Sequence, residues 1–216
     1  MAIAFFDLDQ TVLSANSGRL WVRREVALGQ LSHRMALTAA AWLLQYRLGL
    51  SGIELVAKAI ETGRGASYPA LLSRTNSFYQ STVRKLFRPG ALKQIEAHRR
   101  AGDRVVLLTS STHLLAQLVS DELKLDGILC NRLEVEDGLL TGRTVGPLCY
   151  GPGKLVHARE EAERHHVLLT ACCFYTDSFS DLPVLEAVGR PVAVNPDVRL
   201  KRHARRHGWE VADWGS

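Results

Sequence analysis

The sequence of 216 residues contains no apolar run near the roughly 18 residues that a membrane-crossing helix needs, so no bilayer span is expected. No basic stretch precedes an apolar one at the N-terminus, which argues against a secretory signal peptide. Cysteine is scarce: Cys130, Cys149, Cys172 and Cys173 make four, none at metal-ligand spacing. Cys172 and Cys173 are adjacent inside a β-prone apolar run, so the four are expected to be reduced core thiols of a cytoplasmic protein. Repeats and low-complexity linkers are missing. His113 and the pair His165–His166 lack partners at ligand spacing, which leaves them as surface or loop histidines. One region is short of acids. Residues 12–88 carry eleven Lys and Arg against three Glu, a balance of +8, whereas the rest sums to −3. That favours an anionic partner for this segment; solvated helix faces are the plainer account of any single Arg.

What remains is an ordinary globular composition, 46% apolar and 23% charged, of a length that fits one core or a main domain with an insertion. Residues 2–7 read as a short buried strand. From Asn16 to Phe87 the signals are helical. Helix 17–29 starts at a Ser cap and stops at Gly29, a second is capped by Ser32 and ends near Gly49, and a third is capped by Ser51 and ends near Gly63. A fourth opens at Ser67-Tyr68-Pro69 and runs to about Phe87. The Ala-rich stretch Met35–Leu44 is expected to pack inside this block. After Pro89-Gly90 the pattern alternates. Helices are expected over 91–102, 113–123, 152–166 and 181–188, strands over 103–109, 126–131, 171–177 and 190–195, and a hairpin over 132–143 turning at Asp137-Gly138. Residues 199–210 read as a solvated basic helix, not a nucleic-acid reading surface. Continuous Val/Ile/Leu runs argue for a parallel sheet covered on both faces. The predicted fold is therefore α/β: a Rossmann-like, three-layer core of residues 1–13 and 89–216, with an all-helical cap of residues 14–88 inserted after the first strand.

Ligands of open parallel sheets bind beyond the carboxyl ends of the strands. The polar residues there are Asp7 and Asp9 after the first strand, Thr109, Ser110 and Ser111 after the second, and Asp177, Ser178 and Asp181 after a later one. Lys154 opens the intervening helix. Clustered aspartates repel strongly unless a cation sits among them, and oxygen-only donors suit Mg²⁺.

Taken together, DLDQT at 7–11, VVLLTSS at 105–111, Lys154 and DSFSD at 177–181 resemble, in order, the four motifs of the haloacid dehalogenase superfamily. The helical insertion is similar to the cap of its phosphoserine-phosphatase-like subgroup. The resemblance implies a phosphatase with Asp7 as nucleophile, forming an aspartyl-phosphate, and Asp9 as general acid and then base. It implies Thr109 and the Ser110 amide as phosphate binders, and Lys154 as the charge that neutralises Asp7 and the transferring group. Mg²⁺ would be held by Asp7, Asp177 and Asp9, the last through its backbone carbonyl. Asp181 would orient the metal's waters or Lys154, and Ser178 would give local support. The expected substrate is a small phosphorylated metabolite, with Arg19, Arg23 and Arg47 as candidate contacts in the cap, and with neither nucleic acid nor membrane as partner. Two departures stand out. Thr176 replaces the usual Gly before the fourth motif. No acid lies between Asp9 and Glu25, although true phosphoserine phosphatases carry a glutamate for the substrate amine near the position of Asn16; this argues against phosphoserine itself. Alternatives are a larger anionic substrate, such as a lipid phosphate or nucleotide, and a catalytically silent binding module of the same fold.

Overall fold

The structure, a computed structural model, describes residues 2–30 and 53–215. The expected second helix with its Ser32 cap, the Ala-rich stretch Met35–Leu44, the Ser51 cap and Arg47 lie outside the described residues.

Strand β1 (Ile3–Phe6) is buried along its whole length. Ile3 and Phe5 face one core cluster, Ala4 and Phe6 the other, which is why the run is continuously apolar and not alternating. Each large side chain buried in this way contributes roughly 1.5–3 kcal/mol. Parallel partners flank β1 on both sides: β2 (Arg104–Thr112) pairs Phe6 with Leu107, and β5 (Cys173–Thr176) pairs Phe6 with Tyr175. β3 (Gly127–Glu136) extends the sheet beyond β2, and β6 (Arg190–Val194) and β7 (Glu210–Ala212) extend it beyond β5, all in parallel. β4 (Leu139–Val145) is antiparallel to β3, giving the order β4–β3–β2–β1–β5–β6–β7.

Helices α4 (Pro89–Arg100), α5 (His113–Leu123), α6 (Pro152–Arg164), the single turn α7 (Leu182–Leu185) and α8 (Val198–Arg206) complete the alternation with the strands. The expected fold class therefore holds: a mostly parallel sheet with flanking helices. All four cysteines are free and buried. Three strand expectations change. The strand expected over 103–109 runs on to Thr112, so Ser110 and Ser111 lie within β2 and not after it. The strand at 126–131 and the first arm of the hairpin are one ten-residue strand, β3, whose first half pairs with β2 and whose second half pairs with β4. The hairpin turns at Asp137 and Gly138, both left-handed at φ 50 and 77, as a two-residue loop of this type requires. The expected helix over 199–210 ends at Arg206, and β7 follows it on the sheet edge; three residues next to a basic helix carry no readable period.

The helical segment comprises, among the described residues, α1 (Ser17–Ala27), α2 (Ile53–Glu61) and α3 (Tyr68–Ser81). Asn16, not Ser17, caps α1, accepting from the Arg19 amide at 2.8 Å. α3 stops at Ser81, short of Phe87, and a 3₁₀ turn follows over Val83–Lys85. Part of the basic surplus is neutralised. Arg24 and Arg74 hold the buried carboxylate of Glu25 at 3.0 and 2.7 Å, and Arg84 pairs with Glu122 of α5. Among the described residues, main-chain pairing joins the segment to the sheet domain at two places. At the first, Leu13 bridges Phe87, Ser14 donates to the Leu86 carbonyl at 2.7 Å and Arg88 to that of Val12 at 2.9 Å. At the second, the α2–α3 connection lies along the β3–β4 hairpin. There Gly65 donates to the Leu140 carbonyl, Leu140 to that of Ala66 and Tyr68 to that of Gly138, at 2.8, 2.9 and 2.9 Å. Among the described residues no helix is long and apolar enough to cross a membrane.

Candidate active site

β1 delivers Asp7 to the carboxyl edge of the sheet between β2 and β5, where ligands of such sheets are held. The Asp7 amide donates to the Tyr175 carbonyl at 2.9 Å, and a wide turn follows, closed by Val12 N–H on the Asp7 carbonyl and Leu13 N–H on that of Leu8. Gln10 sits in this turn with φ 58, a left-handed conformation that costs a residue with a side chain roughly 1–2 kcal/mol.

Lys154 lies in the first turn of α6 and is 2% exposed. Its Nζ donates to Asp7 Oδ1 and to Asp181 Oδ2, both at 2.7 Å, so one ammonium bridges carboxylates from two distant stretches. Gly153 makes that placement possible: a Cβ there would stand 1.9 Å from the Leu148 carbonyl oxygen. Gly153→Ala is therefore expected to lower stability by about 2–3 kcal/mol through overpacking and to displace Lys154; urea unfolding measures the first effect and phosphate release the second.

Asp177 follows β5 and is buried. It accepts from Gln10 Nε2 at 3.1 Å and from Thr11 Oγ1 at 3.4 Å. Thr176, where the motif usually has Gly, donates its hydroxyl to Asp181 Oδ2 at 2.7 Å and accepts the Ser178 amide at 3.2 Å, so the departure supplies Asp181 with a second donor. Ser178 bonds locally, to the amide and hydroxyl of Ser180. Thr109 is buried and accepts the Ser111 amide at 3.1 Å. The β2–β3 register breaks between Leu108 and Thr112, so the stretch holding Thr109 and Ser110 leaves the regular ladder at the edge where the other groups gather. Asn131, not singled out from sequence, braces this stretch: its Nδ2 donates to the Ser110 carbonyl at 2.7 Å and its Oδ1 accepts the Cys149 amide at 2.9 Å.

Asp9 behaves differently from its neighbours. Its Oδ1 accepts the Ser17 amide at 2.6 Å, which ties it to the first residue of α1. No three His, Cys, Asp or Glu side chains converge as a metal site among the described residues. Asp7, Asp9 and Asp177 thus do not form a set of three side-chain ligands among the described residues, and one oxygen of the Asp9 carboxylate is engaged by α1. Arg19 and Arg23 are exposed on α1, and neither side chain bonds to the acidic cluster among the described residues.

Burial is the largest influence on Asp7, Asp9 and Asp177. It pushes Asp7 up to about 7, against the pull of Lys154 and with the help of Asp181 and Asp9. It pushes Asp177 well above the usual range, helped by Asp7 and Asp181. Burial also raises Asp9, against the hydrogen bonds from Ser17. Burial opposes the charge on Lys154, but Asp181 and Asp7 overcome it and hold the ammonium more firmly protonated than usual.

His113 was expected at the surface or in a loop; it is instead a junction residue. Its ring stacks on Tyr68 of α3, its Nε2 lies 3.3 Å from the Tyr68 hydroxyl, and its Nδ1 accepts the Leu133 amide at 3.3 Å. Burial, and then the charge of Arg132, lower its pKa. Only an unprotonated Nδ1 can accept, so the folded chain disfavours the imidazolium. Between the depressed folded value and the ordinary value of about 6.5 the unfolded chain binds more protons, so stability falls as pH drops through that window. The expected loss is about 1 kcal/mol, the worth of one hydrogen bond. Thermal denaturation from pH 7.5 to 5 should slope less steeply in His113→Gln.

The chain thus pairs a mostly parallel α/β sheet and a helical insertion behind its first strand with a cluster of buried carboxylates and one lysine at the sheet's carboxyl edge. Residues 4–186 match the family described as haloacid dehalogenase-like hydrolase. The chain is 33% identical to phosphoserine phosphatase SerB1 of Mycobacterium tuberculosis over 99% of its own length and 71% of that protein. It is 28% identical to a histidinol-phosphatase of Neisseria meningitidis over 98% of each chain. A crystal structure of a protein of unknown function from Bordetella pertussis superposes with a TM-score of 0.89 at 25% identity, covering 99% of each chain. The chain belongs to the haloacid dehalogenase-like hydrolases, and its place among them is with the phosphatases of phosphoserine-phosphatase-like type.

Proposed function

We propose that the chain is a Mg²⁺-dependent phosphatase of a small phosphomonoester, working through an aspartyl-phosphate on Asp7, with residues 14–88 as a cap over the site. The observation that carries this reading is the Lys154 bridge. A buried ammonium 2.7 Å from Asp7 and from Asp181 gathers charge from three separate stretches around one carboxylate at the end of β1.

In the first half-reaction a carboxylate oxygen of Asp7 attacks phosphorus, and the bond from phosphorus to the substrate's ester oxygen breaks. Asp9 gives its proton to the departing oxygen. Burial favours the protonated form of Asp9, which suits an acid near neutral pH. In the second half-reaction the Asp9 carboxylate takes a proton from water, whose oxygen attacks the same phosphorus. Inorganic phosphate leaves and Asp7 is regenerated. Lys154 holds Asp7 in place and offsets negative charge on the transferring group, and Thr109 with the Ser110 amide would bind phosphoryl oxygens.

The donors fit a hard dication. Asp7 and Asp177 are buried carboxylates whose charged forms are disfavoured by burial and by one another, and Mg²⁺ takes one or two carboxylates with water and phosphate. Asp7, Asp177 and the Asp9 carbonyl would hold it, and when bound it supplies neutralisation of the phosphoryl oxygens. The lone acid of α1, Glu25, is held by Arg24 and Arg74, and Asn16 is used as a cap; neither is available to a substrate amine, which favours a phosphomonoester other than phosphoserine. The test is a screen of phosphorylated metabolites with Mg²⁺ and with EDTA. Metal-dependent release from at least one small phosphomonoester is expected. Release that EDTA leaves untouched would remove the metal from this account.

A further inference from the structure

Gln10 has no part in the reaction just described. It takes the left-handed region, φ 58 and ψ 1, which glycine enters freely and other residues enter at a cost. Its side chain reaches into the site: Nε2 donates to Asp177 Oδ2 at 3.1 Å, across 167 positions of sequence. The next residue, Thr11, donates its hydroxyl to the other oxygen of the same carboxylate at 3.4 Å. Consecutive residues of the turn after β1 thus grip both oxygens of Asp177. A carboxylate only accepts, so the amide must present its nitrogen. Asp177 itself is 6% exposed and shares the edge with Asp7 and Asp181, so its orientation is worth fixing.

We propose that Gln10 is a positioning residue: it holds the Asp177 carboxylate in the orientation that a divalent cation uses, and so raises the affinity of the site for that cation. This rests on the reading of Asp7 and Asp177 as cation ligands. The strained backbone at Gln10 is consistent with a local sacrifice made for the site. Groups that hold a ligating side chain from outside change metal affinity by about 10–100-fold.

Two variants separate the amide from its surroundings. Gln10→Gly removes the donor and the backbone cost together. Gln10→Met keeps the length and the backbone cost and removes only the donor. The probe is Mg²⁺ alone, titrated calorimetrically into the whole chain without substrate, with Tm followed in parallel. Both variants are expected to bind Mg²⁺ about tenfold more weakly than the parent, while the metal-free Tm of Gln10→Gly stays at or above the parent's. A packing role gives a different pattern, with Mg²⁺ affinity in Gln10→Met kept within about twofold of the parent's on the same scale; that result overturns the proposal. If the parent itself takes up no Mg²⁺, the reading of the cation site fails, and the proposal falls with it.

Discussion

Asp7→Asn is expected to lower phosphate release by at least about a thousandfold, the scale of loss when a nucleophile is removed, without lowering Tm. An amide of the same shape cannot attack phosphorus and regenerate. It can still accept from Lys154 Nζ, which in the parent lies 2.7 Å from Oδ1. Stability should hold or rise because burial, Asp181 and Asp9 all work against charge on Asp7, and the substitution removes that charge while Lys154 keeps Asp181 as its partner. The measurements are phosphate release on whichever substrate the screen identifies, and thermal denaturation of parent and variant without metal. An Asn variant that matches the parent's rate would place the nucleophile elsewhere.

Lys154→Met should act on both stability and rate. Lys154 is among the largest fully buried side chains, and both carboxylates it bridges are buried with it. Removing one member of such a cluster leaves the others uncompensated, typically at about 3–5 kcal/mol. The sign of the pH dependence follows from Asp7, whose folded value of about 7 already lies above the usual 3.8. An acid raised in the folded state destabilises that state increasingly as pH rises, because the unfolded chain gives up its proton first. Without the ammonium the value rises further, so the deficit should be larger at pH 8 than at pH 6. Urea unfolding at the two pH values in EDTA tests this, and phosphate release should fall by about a hundredfold or more from the lost electrostatic stabilisation. A Met variant as stable as the parent at pH 8 would mean that Lys154 is not the counter-charge of this cluster.

Much of the framework was legible because two signals agree. The run around Phe5 and Phe6 is apolar at every position, as a strand covered on both faces must be, and it breaks to Asp7 where the sheet meets solvent. Charged groups at several strand ends and one helix start are chemically conspicuous, so Asp7, Asp9, Asp177, Asp181 and Lys154 stand out in the sequence. What escaped notice depends on distance across the fold. Asn16 and Ser17 are both good helix caps, and sequence alone does not choose between them; the Ser17 amide turns out to be needed by Asp9. His113 offered no partner at ligand spacing because its partner, Tyr68, lies 45 positions away in the helical segment. Gln10 has no local mark at all, since its backbone conformation and its bond to Asp177 exist only once β1 and β5 are side by side. β3 looked like two strands because its first half answers to a parallel neighbour and its second half to an antiparallel one.

The three main-chain bonds between the α2–α3 connection and the β3–β4 hairpin bear on how substrate reaches Asp7. A lid hung on one hinge can swing clear of its floor. Here the proposed lid is also stitched to a flap of the floor, so opening must either tilt that flap along with it or unpick the seam. If residues 14–88 are the proposed lid, the tempo of substrate entry would depend partly on Leu140 and Gly138, and the loop at the hairpin tip would be a place where turnover is retuned without altering the chemistry.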